Sequence, residues 1–232
     1  MYIFETFLNY KKNNFKANNH ITDFFNSLLI ILFIDYILII LFGKKARYYQ
    51  LHSIINAIIS FRILPDIKNF IYDPINAYKL LNTNLESYLI LCLHIYHIII
   101  SKKLYFIELF HHILFVGFGV IPTIYFINTN QIYLGYICCS GLPGVFEYGL
   151  LTLLKNNVIK FNTQKFYTVY LYNYFRYPCA MYGCYLNLIL YNYNNILNKE
   201  NFYFTFYINI LLFLNGSIFN HLTIKSYYKC IK

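Results

Sequence analysis

Residues 106–122 read FIELFHHILFVGFGVIP, so Glu108, His111 and His112 fall within five positions of an otherwise apolar run. On a helix, residues three and four apart are neighbours, and one carboxylate can reach either imidazole. A carboxylate that orients a histidine suits a general base or a nucleophile that carries an acyl group. Upstream, His94 and His97 in HIYH share one helix face, with Glu86 along the same stripe. Further on, Glu147 and Arg176 are charges of opposite sign in consecutive apolar segments, natural partners for mutual neutralisation. Asp35 stands alone in the first apolar run.

The solvent around these groups decides what they mean. Hydrophobic residues make up 59% of the 232-residue chain and charged ones only 12%. A soluble domain carries about 25% charged residues, so too few remain here to cover a water-facing surface. The mean hydropathy of +0.45 points the same way, to lipid. In that solvent an Asp, Lys or Arg at mid-span costs roughly 2.5–3.5 kcal/mol and turns to a bundle interior or a cavity.

The elements that must position these groups are helices of about 20 residues, the length that crosses a bilayer core. Seven apolar segments emerge, at about 24–43, 49–66, 85–101, 104–128, 131–154, 166–191 and 202–222. The second is expected to end at Pro65, and the fifth to kink or break at Gly141, Pro143 and Gly144. The short connection at 101–103 makes the third and fourth segments antiparallel neighbours whose histidine faces can meet. The expected fold is all-α, a polytopic membrane helix bundle of about seven transmembrane helices.

The formal charge is +10, but Lys and Arg sit in short clusters between apolar runs rather than on one face or in one tail. That is the pattern of loops flanking membrane spans, not of a nucleic-acid binder. Loops after the first, third and fifth spans, with the C-terminal tail, hold the excess, which predicts a cytosolic C-terminus. The N-terminus opens with a polar, Asn-rich stretch and reads as preceding a retained span rather than as a cleaved signal. Five of the six cysteines lie in apolar runs without a CxxC pair and read as small buried hydrophobes. HIYH and FHH invite a metal reading. Seven histidines at this spacing do not supply the clustered boxes that a di-iron site needs, and no metal is expected.

An early LHS at 51–53, an Asp-Pro turn at 73–74 and IELFHHILFVGFGVIP opening a span together resemble the TLC-domain family of multi-span membrane proteins, which includes the ceramide synthases. The resemblance covers about residues 45–225. It implies a six-helix bundle around a lipid-accessible cavity, preceded by one N-terminal span. Domain bounds on that basis are 1–44 for the polar tail and first span, 45–225 for the TLC-like membrane domain and 226–232 for a short basic tail. The paired histidines of the family match His111 and His112. The aspartate pair of the ceramide synthases has no counterpart, since Glu147 is the only acid in CSGLPGVFEYGLLTLLK.

Two functions follow as expectations. In the first, the cavity binds or organises membrane lipid, with His111 and His112 on its wall. In the second, the protein is a lipid acyltransferase that uses acyl-CoA as co-substrate, with His111 or His112 as base or nucleophile, Glu108 orienting the ring and Glu147 as a second acid. His94, His97 and Arg176 are the expected substrate-binding residues in either case. A transporter is the third possibility, without an inverted repeat to support it. The expected location is the endoplasmic reticulum or another internal membrane.

Overall fold

The computed structural model describes residues 20–78, 80, 83–101, 104–127, 129–192 and 199–231. Among the described residues eight helices form and no strand. They are α1 (His20–Phe42), α2 (Arg47–Tyr72), the short α3 (Pro74–Tyr78), α4 (Leu85–Ile100), α5 (Phe106–Phe126), α6 (Ile132–Lys155), α7 (161–192) and α8 (Lys199–Ile231). The fold is the expected all-α bundle. Helices α1, α5, α6 and the Phe202–Lys229 part of α8 are long and apolar enough to cross a membrane, and α4 is apolar but shorter.

The bundle is apolar outside and polar within. Phe25, Leu29, Phe33, Ile40, Phe106, Phe118 and Tyr174 are exposed, whereas Asp35, His52, Arg62, Asp66, Glu86, His97, His112 and Arg176 are buried. An exterior of this kind is stable against lipid chains, and the polar interior then needs internal partners.

Small residues let α2 and α6 approach closely. Ser53, Asn56 and Ser60 of α2 face Gly149, Gly144 and Gly141 of α6. The Ser53 hydroxyl donates to the Val145 carbonyl at 2.9 Å. A Cβ at Gly141 would meet the Ser60 hydroxyl at 2.9 Å and the Tyr136 carbonyl at 3.1 Å, so no larger residue fits without movement. Small residues are the usual means of helix contact where lipid removes the hydrophobic drive.

Helix α1 packs into the same hydrophobic core. Ile31 and Leu38 pack with Ile55, Ile59, Leu89 and Leu93 of α2 and α4. Asp35, isolated in the sequence, forms an ion pair with Arg47 and accepts from the Tyr96 hydroxyl at 2.6 Å. Gly43 ends α1 at φ +70, donating its N–H to the Ile39 carbonyl at 3.0 Å. Only glycine adopts that conformation without strain.

Helix α2 does not stop at Pro65, as expected, but continues to Tyr72 and ends before Asp73-Pro74. Tertiary bonds hold the extension. Asn130 donates to Asp66 at 2.7 Å, and the Tyr182 hydroxyl donates to the Phe70 carbonyl at 3.1 Å. Helix α8 runs through 226–231, where a separate tail was expected. The polar stretch 1–19 and Lys102 and Lys103 lie outside the described residues.

Three helices widen into π-helical turns, at His112–Val120, Ile137–Gly141 and Tyr172–Arg176. In each case a proline follows two positions later: Pro122, Pro143 and Pro178. Proline removes a backbone donor and its ring crowds the carbonyl four residues back, so the preceding turn opens. The Ile121 and Tyr177 N–H groups accordingly reach five residues back, to Val116 and Tyr172. The Phe118 carbonyl, four before Pro122, is taken by the Tyr207 hydroxyl at 3.2 Å. The kink or break expected around Gly141–Gly144 takes the form of a widened turn, with Gly141 at the non-helical ψ of -116.

Candidate functional site

The three widened turns border one cavity of about 420 Å3. Such a volume lies at the lower end of small-molecule sites, roughly 300–1,000 Å3. Every site residue read from the sequence lines it: His94 and His97 on α4, Glu108, His111 and His112 on α5, Glu147 on α6 and Arg176 on α7. His52 and Tyr48 on α2, Tyr148 on α6, Lys165 on α7 and Asn215 on α8 complete its polar wall.

Five imidazoles pack together there. His94 lies 5.6, 5.4 and 5.1 Å, centroid to centroid, from His52, His111 and His112. His97 lies 5.0 Å from His112 and 5.9 Å from His52. The α4 and α5 histidine faces therefore meet, as their antiparallel order requires. Tyr48 closes the cluster, 4.0 Å from His97 and 4.3 Å from His52.

Hydrogen bonds fix two tautomers. His112 Nδ1 lies 2.7 Å from the Glu108 carbonyl, which can only accept, so that nitrogen carries the proton. In the neutral ring Nε2 is then an acceptor, and His97 Nδ1, 3.1 Å away, donates to it. Both nitrogens of His112 are thereby occupied. His52 Nε2, His94 Nδ1 and His111 Nδ1 are buried and have no hydrogen-bond partner among the described residues.

Two expected pairings take another form. Glu108 orients His112 through its backbone carbonyl, while its carboxylate accepts the Tyr105 N–H at 2.8 Å and caps the start of α5. Glu147 and Arg176 do not pair directly; Tyr172 stands between them. The Tyr172 hydroxyl donates to Glu147 at 2.9 Å, and the Arg176 guanidinium lies 4.6 Å over the Tyr172 ring. A third placement differs too. Glu86 lies on the stripe of His94 and His97 but away from the cavity, where Arg62 Nε donates to it at 2.8 Å and Thr83 Oγ1 at 2.6 Å.

Among the described residues no group of three or more His, Cys, Asp or Glu side chains is arranged to hold a metal ion. The histidines meet ring against ring instead of converging their nitrogens on one point. His52 was the functional residue least visible in the sequence, because it lies near the start of its helix; only the LHS triplet marked it. Lys165 and Asn215 carried no local signal.

No family model, curated protein or solved structure matches this chain.

Proposed function

We propose that the protein is a multi-pass, TLC-like membrane protein that binds or organises lipid in the cavity lined by His111 and His112. The observation that carries this reading is the five-histidine wall with three buried, unpartnered ring nitrogens. A buried polar atom without a partner costs about 1–3 kcal/mol, and a bound polar headgroup offsets that cost. The other wall, with Phe115, Val116, Leu211, Leu212 and Phe219, suits an acyl chain. On this reading α2, α4 and α7 also cross the membrane, which makes seven spans. The basic segments around Lys44, Lys45, Lys155 and Lys160 then face the cytosol with the C-terminus, in an internal membrane such as the endoplasmic reticulum.

The direct test is mass spectrometry of lipid extracted from protein purified in mild detergent. One lipid class enriched over the bulk membrane is expected. A composition equal to that of the surrounding membrane contradicts the reading.

Acyl transfer is the second reading, and the unpartnered nitrogens of His94 and His111 favour it. A ring nitrogen would take the proton from an amine or hydroxyl nucleophile as that attacks an acyl-CoA thioester. The coenzyme A thiolate leaves and recovers the proton. With both of its nitrogens engaged, His112 positions the others and His111 is the base. Purified protein should then release free thiol from acyl-CoA, and His111→Ala should abolish the release. No thiol release with any amine or hydroxyl lipid leaves lipid binding as the function.

A further inference from the structure

We infer that the cavity receives the oxyanion of a single-chain amphiphile, a carboxylate or a phosphate, between Arg176, His111 and Asn215. This rests on the lipid-binding reading and names the headgroup chemistry within it. Arg176 is 94% buried on the cavity wall, Asn215 95% buried, and His111 partly so. Each holds a buried polar atom with no hydrogen-bond partner among the described residues: Arg176 Nε, His111 Nδ1 and Asn215 Oδ1. All three meet one short segment of α8. Arg176 Cδ lies 3.6 Å from where a Cβ on Gly216 would stand, and the His111 ring is 5.3 Å from Phe219. Asn215 precedes that glycine.

The charge balance selects an anion. Among the described residues no carboxylate forms an ion pair with Arg176. The Glu147 carboxylate takes the Tyr172 hydroxyl, while Arg176 lies over the face of that ring and bonds the neutral Cys139 side chain. A cation buried in this way is costly unless an opposite charge joins it. A neutral alcohol could satisfy one hydrogen bond; an oxyanion satisfies the bond and the charge. The guanidinium fork fits two oxygens of a carboxylate or phosphate. His111 in the Nδ1–H tautomer donates a further bond, and Asn215 donates with its amide turned end for end.

The mouth of the cavity agrees with an anionic guest. Tyr49 and Leu151 line both the cavity and an adjoining recess that carries Lys45 and Lys155. The helix register places this recess at the α2 start and the α6 end, the same end as the histidines. Basic groups at a cleft entrance raise the local concentration of anions.

The test uses the full chain in detergent with three radiolabelled probes of one tail: oleate, oleoyl lysophosphatidate and oleyl alcohol. Hydrogen bonds to a charged group make a difference of about 10–100-fold, so one or both anions should bind wild type at least that much more tightly than the alcohol. The anion that binds more tightly identifies the source. Arg176→Gln should abolish the preference of the anions over the alcohol. Glu147→Gln, which removes a competing negative charge, should strengthen anion binding. The wild-type ratio reads the inference even if Arg176→Gln does not fold. Alcohol binding as tight as that of both anions overturns the inference alone. Failure of all three probes to bind overturns the lipid-binding reading with it.

Discussion

The two buried polar regions of the bundle use the same residue types and treat them in opposite ways. Where the second half of α2 meets the starts of α4 and α6, the charges are matched within the protein. Arg62 pairs with Glu86 at 2.8 Å, Thr83 and Tyr133 donate to the same carboxylate, and Asn130 donates to Asp66. Tyr136 donates to Ser87 at 2.6 Å beside Thr123. Toward the other end of α2 and α4, beside α5 and α7, five histidines and an arginine surround a cavity, and among the described residues His52, His94, His111 and Arg176 each keep a buried nitrogen without a hydrogen-bond partner. A charge that meets its counterpart inside the fold holds helices together. One that faces a cavity does not, and the polar content of a span does not by itself tell these apart.

The comparison breaks most visibly at the matched pair. Arg62→Ala or Glu86→Ala leaves its partner charged and buried, which costs about 3–5 kcal/mol. Thermal unfolding in detergent should show a large loss of midpoint or no monodisperse protein. A small shift would mean that this region is not what holds α2 to α4. Gly141→Ala tests the seam that sets the two regions apart. The added methyl must displace Ser60 or the Tyr136 carbonyl, at a cost of about 1–3 kcal/mol by the same measurement.

Removing Arg176 should do the reverse of removing Arg62. It takes away a cation that has no ion-pair partner among the described residues, together with its Cys139 bond and one cation–π contact of about 0.5–2 kcal/mol. Ligand-free Arg176→Gln should therefore unfold within about 1 kcal/mol of wild type, near the lower end of that range. A loss as large as that of Arg62→Ala would place Arg176 among the structural charges. A similarly small effect should come from His97→Ala, which removes the bond to His112. Intramembrane hydrogen bonds average about 0.6 kcal/mol.

Much of the helix layout was legible because hydrophobic runs of membrane length have few other uses. The end of α2 was misread because Pro65 is a strong local signal, and the bonds from Asn130 and Tyr182 that support the extension come from residues remote in sequence. The histidine cluster was legible on α4 and α5, where spacing and a short connection bring the faces together. His52 was not, since its place depends on the close approach of α2 to α6. The pairing of Glu147 with Arg176 failed for a related reason. Opposite charges on neighbouring helices are a fair guess, but the register of α7 puts Tyr172 between them. The widened turns left a trace in Pro122, Pro143 and Pro178, yet Pro65 shows that proline alone does not set the outcome.

The central claim is that an amphiphile occupies the chamber between α4, α5 and α8. A fatty acid with a photoreactive group on its chain, irradiated with the protein in liposomes and mapped by peptide mass spectrometry, addresses it directly. The account predicts label on Phe115, Val116, Leu211 or Phe219 that excess unlabelled fatty acid competes away. Label confined to outward residues such as Phe33, Ile40 and Tyr174, and indifferent to competitor, would contradict it.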